Sequence, residues 1–480
     1  MTLLRRIVPC FNQLRGWSSV IKEFKDIPGP KQWPLVGNAL LFSPFGPYKM
    51  DTLVDGFNDL RKKYGKVVRL RLGHEIVLMF DPNDIRTMYS VEGKLPQRPT
   101  FEALKMYRKE KFDCVGVVPD NGEEWYRLRK IILELLQLKT VHSYWNRQLK
   151  VAQDFSELIQ DQCNSEGEIS DFLQQAFLYA LEAVGVFCYG RRLNCMSSNS
   201  EEGNKIAQAN AEFLQALGKT FHGLPLWKLW KTKSYKILES TQNFMTEVAV
   251  KYINEARMKM AENPALFARR DPFLYALLTN ADIKESELLV LVTEIYQGGI
   301  DATATTITMM LYQLARNVHI QNAIFQDLKE TELKPGRVPP LLRACLKETL
   351  RLHPTATANS RVLNDDAVLS SYRVPKGTLV IGVNPVISRM NEYFENPKKF
   401  DPWRWLNKTS DIHPYAVLPF GHGARMCPGR RFAEQEIYLC ISEIIKKYQV
   451  VSLNSSEISM VQKTNLVPNQ PVDLGFISRN

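Results

Sequence analysis

Apolar and polar residues change their spacing along the chain, and each change marks an element. Over residues 66–73 the two alternate, a second run covers 75–80, and Asp81-Pro82 stops it, which predicts a β-hairpin. From about Gly122 to Phe273 the spacing is mostly that of a helix face, with a loop around 195–203 and a break at Leu224-Pro225. A longer pattern opens near Ser286 with Leu288 and Leu291 and runs through Met309 and Leu314 to Arg316 as one helix. The elements predict a mainly α protein with a smaller β portion.

The helix over 286–316 is long enough to cross a membrane, yet Glu294, Gln297, Asp301 and five threonines lie inside it. Polar groups at that density predict burial in protein rather than in lipid. Gly298 and Gly299 each cost about 1 kcal/mol relative to alanine in a helix interior. Their place in the middle of the helix predicts that something flat or small approaches the backbone there.

No Gly/Ser linker, low-complexity tract or repeat divides the 480 residues, and 45% hydrophobic with 24% charged residues is an ordinary globular composition. One large body is expected. The prolines over 27–37 stiffen the chain, and ordered structure is expected to begin there. The net charge of +11 suits an acidic partner or an anionic membrane surface but is too diffuse to argue for nucleic acid. Eight cysteines are spread without a CxxC pair, which argues against a zinc ribbon or a disulfide scaffold and for a reducing compartment. Ahead of Glu23 the chain carries Arg5, Arg6, Arg15 and Lys22 and no acid, the pattern of a mitochondrial transit peptide, expected over 1–26; a disordered basic tail is the alternative.

The chemistry concentrates in PFGHGARMCPGRRFAEQE, residues 419–436. Cys427 follows Gly421, Gly423 and Arg425 and precedes Pro428 and Gly429. A thiolate ligand must be deprotonated, and both Arg425 and the start of a helix through Phe432 favour that. Glycines keep Cβ atoms off a flat ligand. A haem iron fits a single unpaired cysteine in such a loop.

The run from Phe420 to Gly429 resembles the haem-binding signature of the cytochrome P-450 superfamily. Glu348 and Arg351 are similar to its ExxR pair, and Phe400, Pro402 and Arg404 to the stretch that locks onto that pair. Trp125 and Arg129 match its WxxxR, whose side chains reach a haem propionate; Arg361 and Arg425 match further propionate positions. The resemblance, covering about Ile27 to Pro471, implies the single-domain cytochrome P-450 fold over 27–480. It also implies haem b (iron protoporphyrin IX) on Cys427, with Phe420 against it, and monooxygenase chemistry with O2.

The extension Arg430-Arg431-Phe432-Ala433-Glu434-Gln435-Glu436 is similar to that of the mitochondrial, ferredoxin-dependent branch, as is the stretch 92–99 followed by Tyr107-Arg108. The branch implies docking of an acidic [2Fe-2S] ferredoxin, fed by its reductase, on Arg343, Lys347 and Arg431. It implies residence on the matrix side of the inner membrane and a lipophilic substrate: a sterol, a steroid, an ecdysteroid precursor or, in some members, a foreign compound. The pocket is expected between the loop 96–121, residues 297–305, residues 355–360 and the helices flanking Leu224-Pro225, with Phe101, Met106, Tyr107, Phe112, Phe221 and Trp227 as its apolar residues. Lys228, Lys231 and Lys233 beside Leu224, Trp227 and Trp230 form an edge expected to touch a membrane peripherally.

One position departs from the family pattern. Gly298, Gly299 and Asp301 match the central-helix motif, but Ala302 stands where its proton-managing threonine belongs, and Thr303 lies about 100° further round the helix. Asp301, with Thr303 as a second candidate, is expected to serve proton delivery. Ala302 also leaves open an isomerase or dehydratase that needs no external electrons. A third reading is a haem-binding sensor or carrier.

Overall fold

A computed structural model describes residues 21–197, 199–407 and 411–479. Most of the expected transit segment, residues 1–20, lies outside the described residues. Lys22 donates its N–H to the carbonyl of Ser371 and accepts from the N–H of Arg373, both at 2.9 Å. Backbone pairing onto the body thus starts ahead of the proline-rich stretch at 27–37, not at it.

The hairpin forms where the alternation puts it: β1 (Val67–Arg71) and β2 (Glu75–Met79) pair antiparallel, Arg71 opposite Glu75. β3 (Asn359–Val362) and β4 (Leu379–Gly382) extend it to four strands in the order β1-β2-β4-β3, with β2 and β4 parallel. Val77, Leu78 and Val380 pack with Ile85, Met88 and Leu369 in the smaller of two large cores.

The larger core is helical. It contains α3 (Glu123–Leu135), α4 (Phe172–Cys188), α9 (Pro340–Leu352) and α10 (Arg430–Lys447), gathered round a central pair, α7 (Glu285–Gly298) and α8 (Asp301–Arg316). A third, smaller core joins α2 (Glu102–Phe112) to α5 (Glu201–His222) and α6 (Lys233–Glu262) through Leu104, Tyr107, Phe213, Leu217 and Tyr235. α1 (Leu53–Tyr64) packs beside the sheet, and β5 (Met460–Gln462) with β6 (Leu466–Pro468) forms a late hairpin. The longest further interruption of the helical stretch after Gly122 is at 163–171, where Glu168–Ile169 pairs with Leu474–Ser478.

The expected single helix over 286–316 is divided. α7 ends at Gly298, two residues form a turn, and α8 starts at Asp301. The two glycines act differently. A Cβ on Gly299 would come within 3.0 Å of Val184 Cγ2 on α4, so this glycine permits close helix packing, whereas a Cβ on Gly298 would meet nothing within 4 Å. Only Gly298 leaves space for a ligand.

Candidate active site

Gly421 and Gly423 both take φ of +71°, a left-handed conformation that folds the 419–429 loop back on itself. The N–H of Cys427 donates to the carbonyl of Phe420 at 2.8 Å and closes that loop. A Cβ on Gly423 would fall 2.0 Å from Glu92 Oε1, so the glycine also admits that carboxylate. Burial pushes the Cys427 thiol up, while the N–H groups of Gly429 and Arg430 at the start of α10 and the charges of Arg129 and Arg98 pull it down. Those are the donors and cations a thiolate needs.

Four arginines converge on this loop. Arg129, one turn after Trp125 on α3, is buried, donates to the Met426 carbonyl and leaves its Nε without a partner. Arg425 donates to the carbonyls of Pro96 (3.0 Å) and Asp120 (2.9 Å) and to Asn121 Oδ1 (2.5 Å). Arg361 on β3 donates to Glu92 Oε2 at 2.6 Å and to the His422 carbonyl at 3.3 Å. Arg98 donates to the Val118 carbonyl at 3.1 Å. Burial, with repulsion from Arg98, Arg361 and Arg129, pushes Arg425 down to about 8. Arg129 falls to about 10, mainly through burial, and Arg98 is lowered by burial and by Arg361.

Glu92 balances Arg361, and the remaining buried cations call for an anionic partner. A haem fits: its two propionates would satisfy guanidinium groups that now repel one another, and Cys427 offers a thiolate for iron.

Asp301 at the start of α8 accepts from Asn465 Nδ2 at 2.7 Å. Burial raises its carboxyl, opposed by that hydrogen bond and by Lys463. Thr303 is buried and faces the carboxyl of Glu436 on α10, which burial pushes well above the usual carboxylate range. The two expected proton-delivery residues therefore point to different partners.

Glu348, completely buried, gathers five donors: Arg351 Nε (2.9 Å) and Nη2 (2.7 Å), Arg404 Nε (3.0 Å), Trp405 Nε1 (2.8 Å) and the N–H of Asp401 (3.0 Å). This joins α9 to the segment that follows Phe400.

The loop over 112–121 is tied to the central helix. Glu294 on α7 accepts from Arg108 Nη1 (2.7 Å) and from the N–H groups of Val117 (2.7 Å) and Val118 (2.8 Å). Above it, Phe101 meets Phe221 at 4.8 Å, and Tyr107 reaches Asn243 Oδ1 at 2.7 Å. Trp227, expected both among the pocket's apolar residues and on the outer edge, is buried and stacked on Tyr235; Leu224, Leu229 and Trp230 are exposed. Arg343, Lys347 and Arg431 are exposed, and among the described residues none has an ion-pair partner.

Sequence reasoning missed Arg98, Glu92, Arg108, Glu294 and Asn465. Arg98 and Glu92 lie in the stretch 92–99 that carried the branch resemblance, which was the available signal. Asn465 had none.

A family model described as Cytochrome P450 matches residues 27–476. "Probable cytochrome P450 49a1" of Drosophila melanogaster is 32% identical over 96% of this chain and 84% of its own length. "Cytochrome P450 302a1, mitochondrial" of the same organism is 31% identical over 94% of each. The rat "1,25-dihydroxyvitamin D(3) 24-hydroxylase, mitochondrial" is 29% identical over 95% and 90%. A crystal structure of the cytochrome P450DA heme domain is similar in fold, with a TM-score of 0.78 at 19% identity, covering 95% of this chain and 98% of that one. Signature loop, arginine cluster and family match agree: the chain belongs to the cytochrome P450 family, and it is a haem-binding monooxygenase of that type.

Proposed function

We propose that this enzyme is a mitochondrial, ferredoxin-dependent monooxygenase that hydroxylates a lipophilic substrate of the sterol, steroid or ecdysteroid-precursor class. The observation that carries the reading is the convergence of Cys427 with Arg98, Arg129, Arg361 and Arg425. Haem b held there supplies activation of O2 with electrons taken one at a time. Cys427 ligates the iron and Phe420 packs against the group. Trp125, Arg129, Arg361 and Arg425 hold the propionates, with Arg98 as a fifth member. Asp301 moves protons, kept in place by Asn465; Thr303 serves only indirectly, through Glu436. Glu348, Arg351 and Arg404 are structural.

The exposed and unpaired Arg343, Lys347 and Arg431 support docking of an acidic [2Fe-2S] ferredoxin, and the names of mitochondrial relatives support the compartment. Residues 1–26 act as the targeting segment and 27–480 as the catalytic domain, on the matrix side of the inner membrane. No described helix is long and apolar enough to cross a membrane. Leu224, Leu229 and Trp230, with Lys228 and Lys233, make the peripheral contact instead.

The test is a carbon monoxide difference spectrum of the reduced protein, followed by oxygen uptake and peroxide release with reduced ferredoxin and a panel of sterols. A thiolate-type band, lost in Cys427→Ser, with sterol-stimulated and coupled oxygen use is the expected result. The same band with no oxygen use from reduced ferredoxin would remove the ferredoxin-dependent reading.

A further inference from the structure

A cleft of about 680 Å³ lies between α1, the end of α9, the turn over 385–392 and the β5–β6 hairpin, and Cys427 and the four arginines of the cofactor site take no part in it. Gln313 of α8 also lines it, and the hairpin is tied down beside it: Leu466 N–H donates to the Thr355 carbonyl at 2.8 Å, Gln462 N–H to the Asp51 carbonyl at 2.7 Å, and Asn465 reaches Asp301. An occupant would pack against the segment that positions the acid.

The lining holds one imidazole nitrogen without a partner and one guanidinium bonded only to carbonyls. Arg389 donates to the carbonyls of Pro385 (3.0 Å) and Leu352, and among the described residues it has no ion-pair partner. Asp55 and Glu457 act on it from further away, and burial with repulsion from Arg351 still pushes it down to about 10. His353 is 5% exposed, and its Nε2 lies 2.7 Å from the amide nitrogen of Gln313. That nitrogen can only donate, so Nε2 accepts and the ring proton sits on Nδ1. Nδ1 has no partner. Burial and the charges of Arg389 and Arg351 hold the ring neutral, at about 3, so the free N–H donor persists at physiological pH.

Val54, Val386, Met390, Ile458 and Leu466 give the cleft an apolar wall. Arg61, Lys62 and Lys398 add cations at its mouth. Of the three acids that line it, Glu392 already pairs with Lys66 at 2.5 Å, which leaves Asp55 and Glu457 against four cations counting Arg389. A buried N–H donor and an unpaired guanidinium beside an apolar wall recognise one kind of ligand.

We propose that this cleft binds a single-chain amphiphile with a carboxylate head, the head on Arg389 and His353 and the chain along the apolar wall. Dodecanoate is the probe and dodecanol the uncharged control, both titrated calorimetrically into the haem-loaded protein after an imidazole-type ligand has been saturated on the iron. Dodecanoate is expected to bind one to one with the iron ligand in place, at least tenfold tighter than dodecanol, and to weaken at least tenfold in Arg389→Gln. Ser459→Trp, at an exposed position lining the cleft, fills it without touching Arg389, and it decides the question if Arg389→Gln does not hold haem. No binding once the iron ligand is present, equal affinity for dodecanol, or unchanged affinity in Ser459→Trp overturns the proposal.

Discussion

The guanidinium of Arg425 lies 3.5 Å from the centre of the Trp125 ring, so the aromatic residue of one motif carries the cation of another. Arg425 is pushed down to about 8 by burial and by three neighbouring arginines. Removing that charge relieves the repulsion in the haem-free protein but deletes a propionate partner in the haem-loaded one. Arg425→Gln should therefore lower the melting temperature of the haem-loaded protein more than that of the haem-free protein. Equal losses in both would sink the propionate assignment.

Glu348 offers a graded test of the buried ion pair. Trp405→Phe removes one hydrogen bond to a charged group and should lower stability by about 1.5–3 kcal/mol. Arg351→Ala removes two of the five donors to a completely buried carboxylate and three further bonds to the carbonyls of Ser388, Pro397 and Lys399, which should cost about 3–5 kcal/mol. Urea midpoints of the haem-loaded proteins should fall in that order. Equal, small losses would mean that the lock is not where the stability of this region resides.

Asp301 is raised by burial and held back by its hydrogen bond from Asn465. Asn465→Ala removes that restraint, so the carboxyl rises further and is ionised only at higher pH. The pH below which coupled product formation declines should move up in this variant, while Asp301→Asn should lose about 10²–10⁴-fold in rate. An unmoved acid limb in Asn465→Ala would show that Asp301 does not set it.

Gly116 has φ of +88°, and a Cβ there would come 2.8 Å from Arg108 Nη1. Gly116→Ala should therefore loosen the loop over 112–121 twice over, through backbone strain and by displacing the arginine from Glu294. Faster amide hydrogen exchange confined to that loop, with the thiolate-type spectrum unchanged, is the expected result.

Much of the site was legible because its chemistry is local. Cys427, Arg425 and Phe420 share one loop, Trp125 and Arg129 one helix turn, and Glu348 and Arg351 another, so spacing alone brings them together. The partners that complete the site come from far away: Glu92 joins Arg361 across 269 residues, Glu294 joins Arg108 across 186, and Asn465 joins Asp301 across 164. No periodicity links residues at such separations. The divided central helix was hidden for a different reason. Its apolar pattern runs through Gly299 unchanged, and the contacts made at the break, Val184 against Gly299 and Asn465 on Asp301, come from distant parts of the chain. Trp227 stands beside lysines and the exposed Leu224 and Trp230, which suggests an outer edge, yet its own ring is buried and stacks on Tyr235, in keeping with its place among the apolar residues expected around the pocket.

Lys347 provides the last prediction. It follows Arg343 by one turn on α9, both are exposed, and its ammonium lies 5.8 Å from the Trp405 ring centre, beside the residue that bonds Glu348. A docking charge at the rim of an interface acts mainly on association rate and is screened by salt, with a Debye length of about 10 Å at 0.1 M. Lys347→Glu should therefore slow association with reduced ferredoxin at least tenfold at low ionic strength, and the difference from the wild type should shrink as salt is added. Because the side chain is exposed, the melting temperature and the thiolate-type spectrum should stay unchanged, which separates lost docking from lost folding. Stopped-flow reduction of the haem by ferredoxin at several salt concentrations measures both quantities. An unchanged rate at low salt would move the docking face away from α9, whereas a loss that persists at high salt would mean that Lys347 acts through Trp405 on the fold.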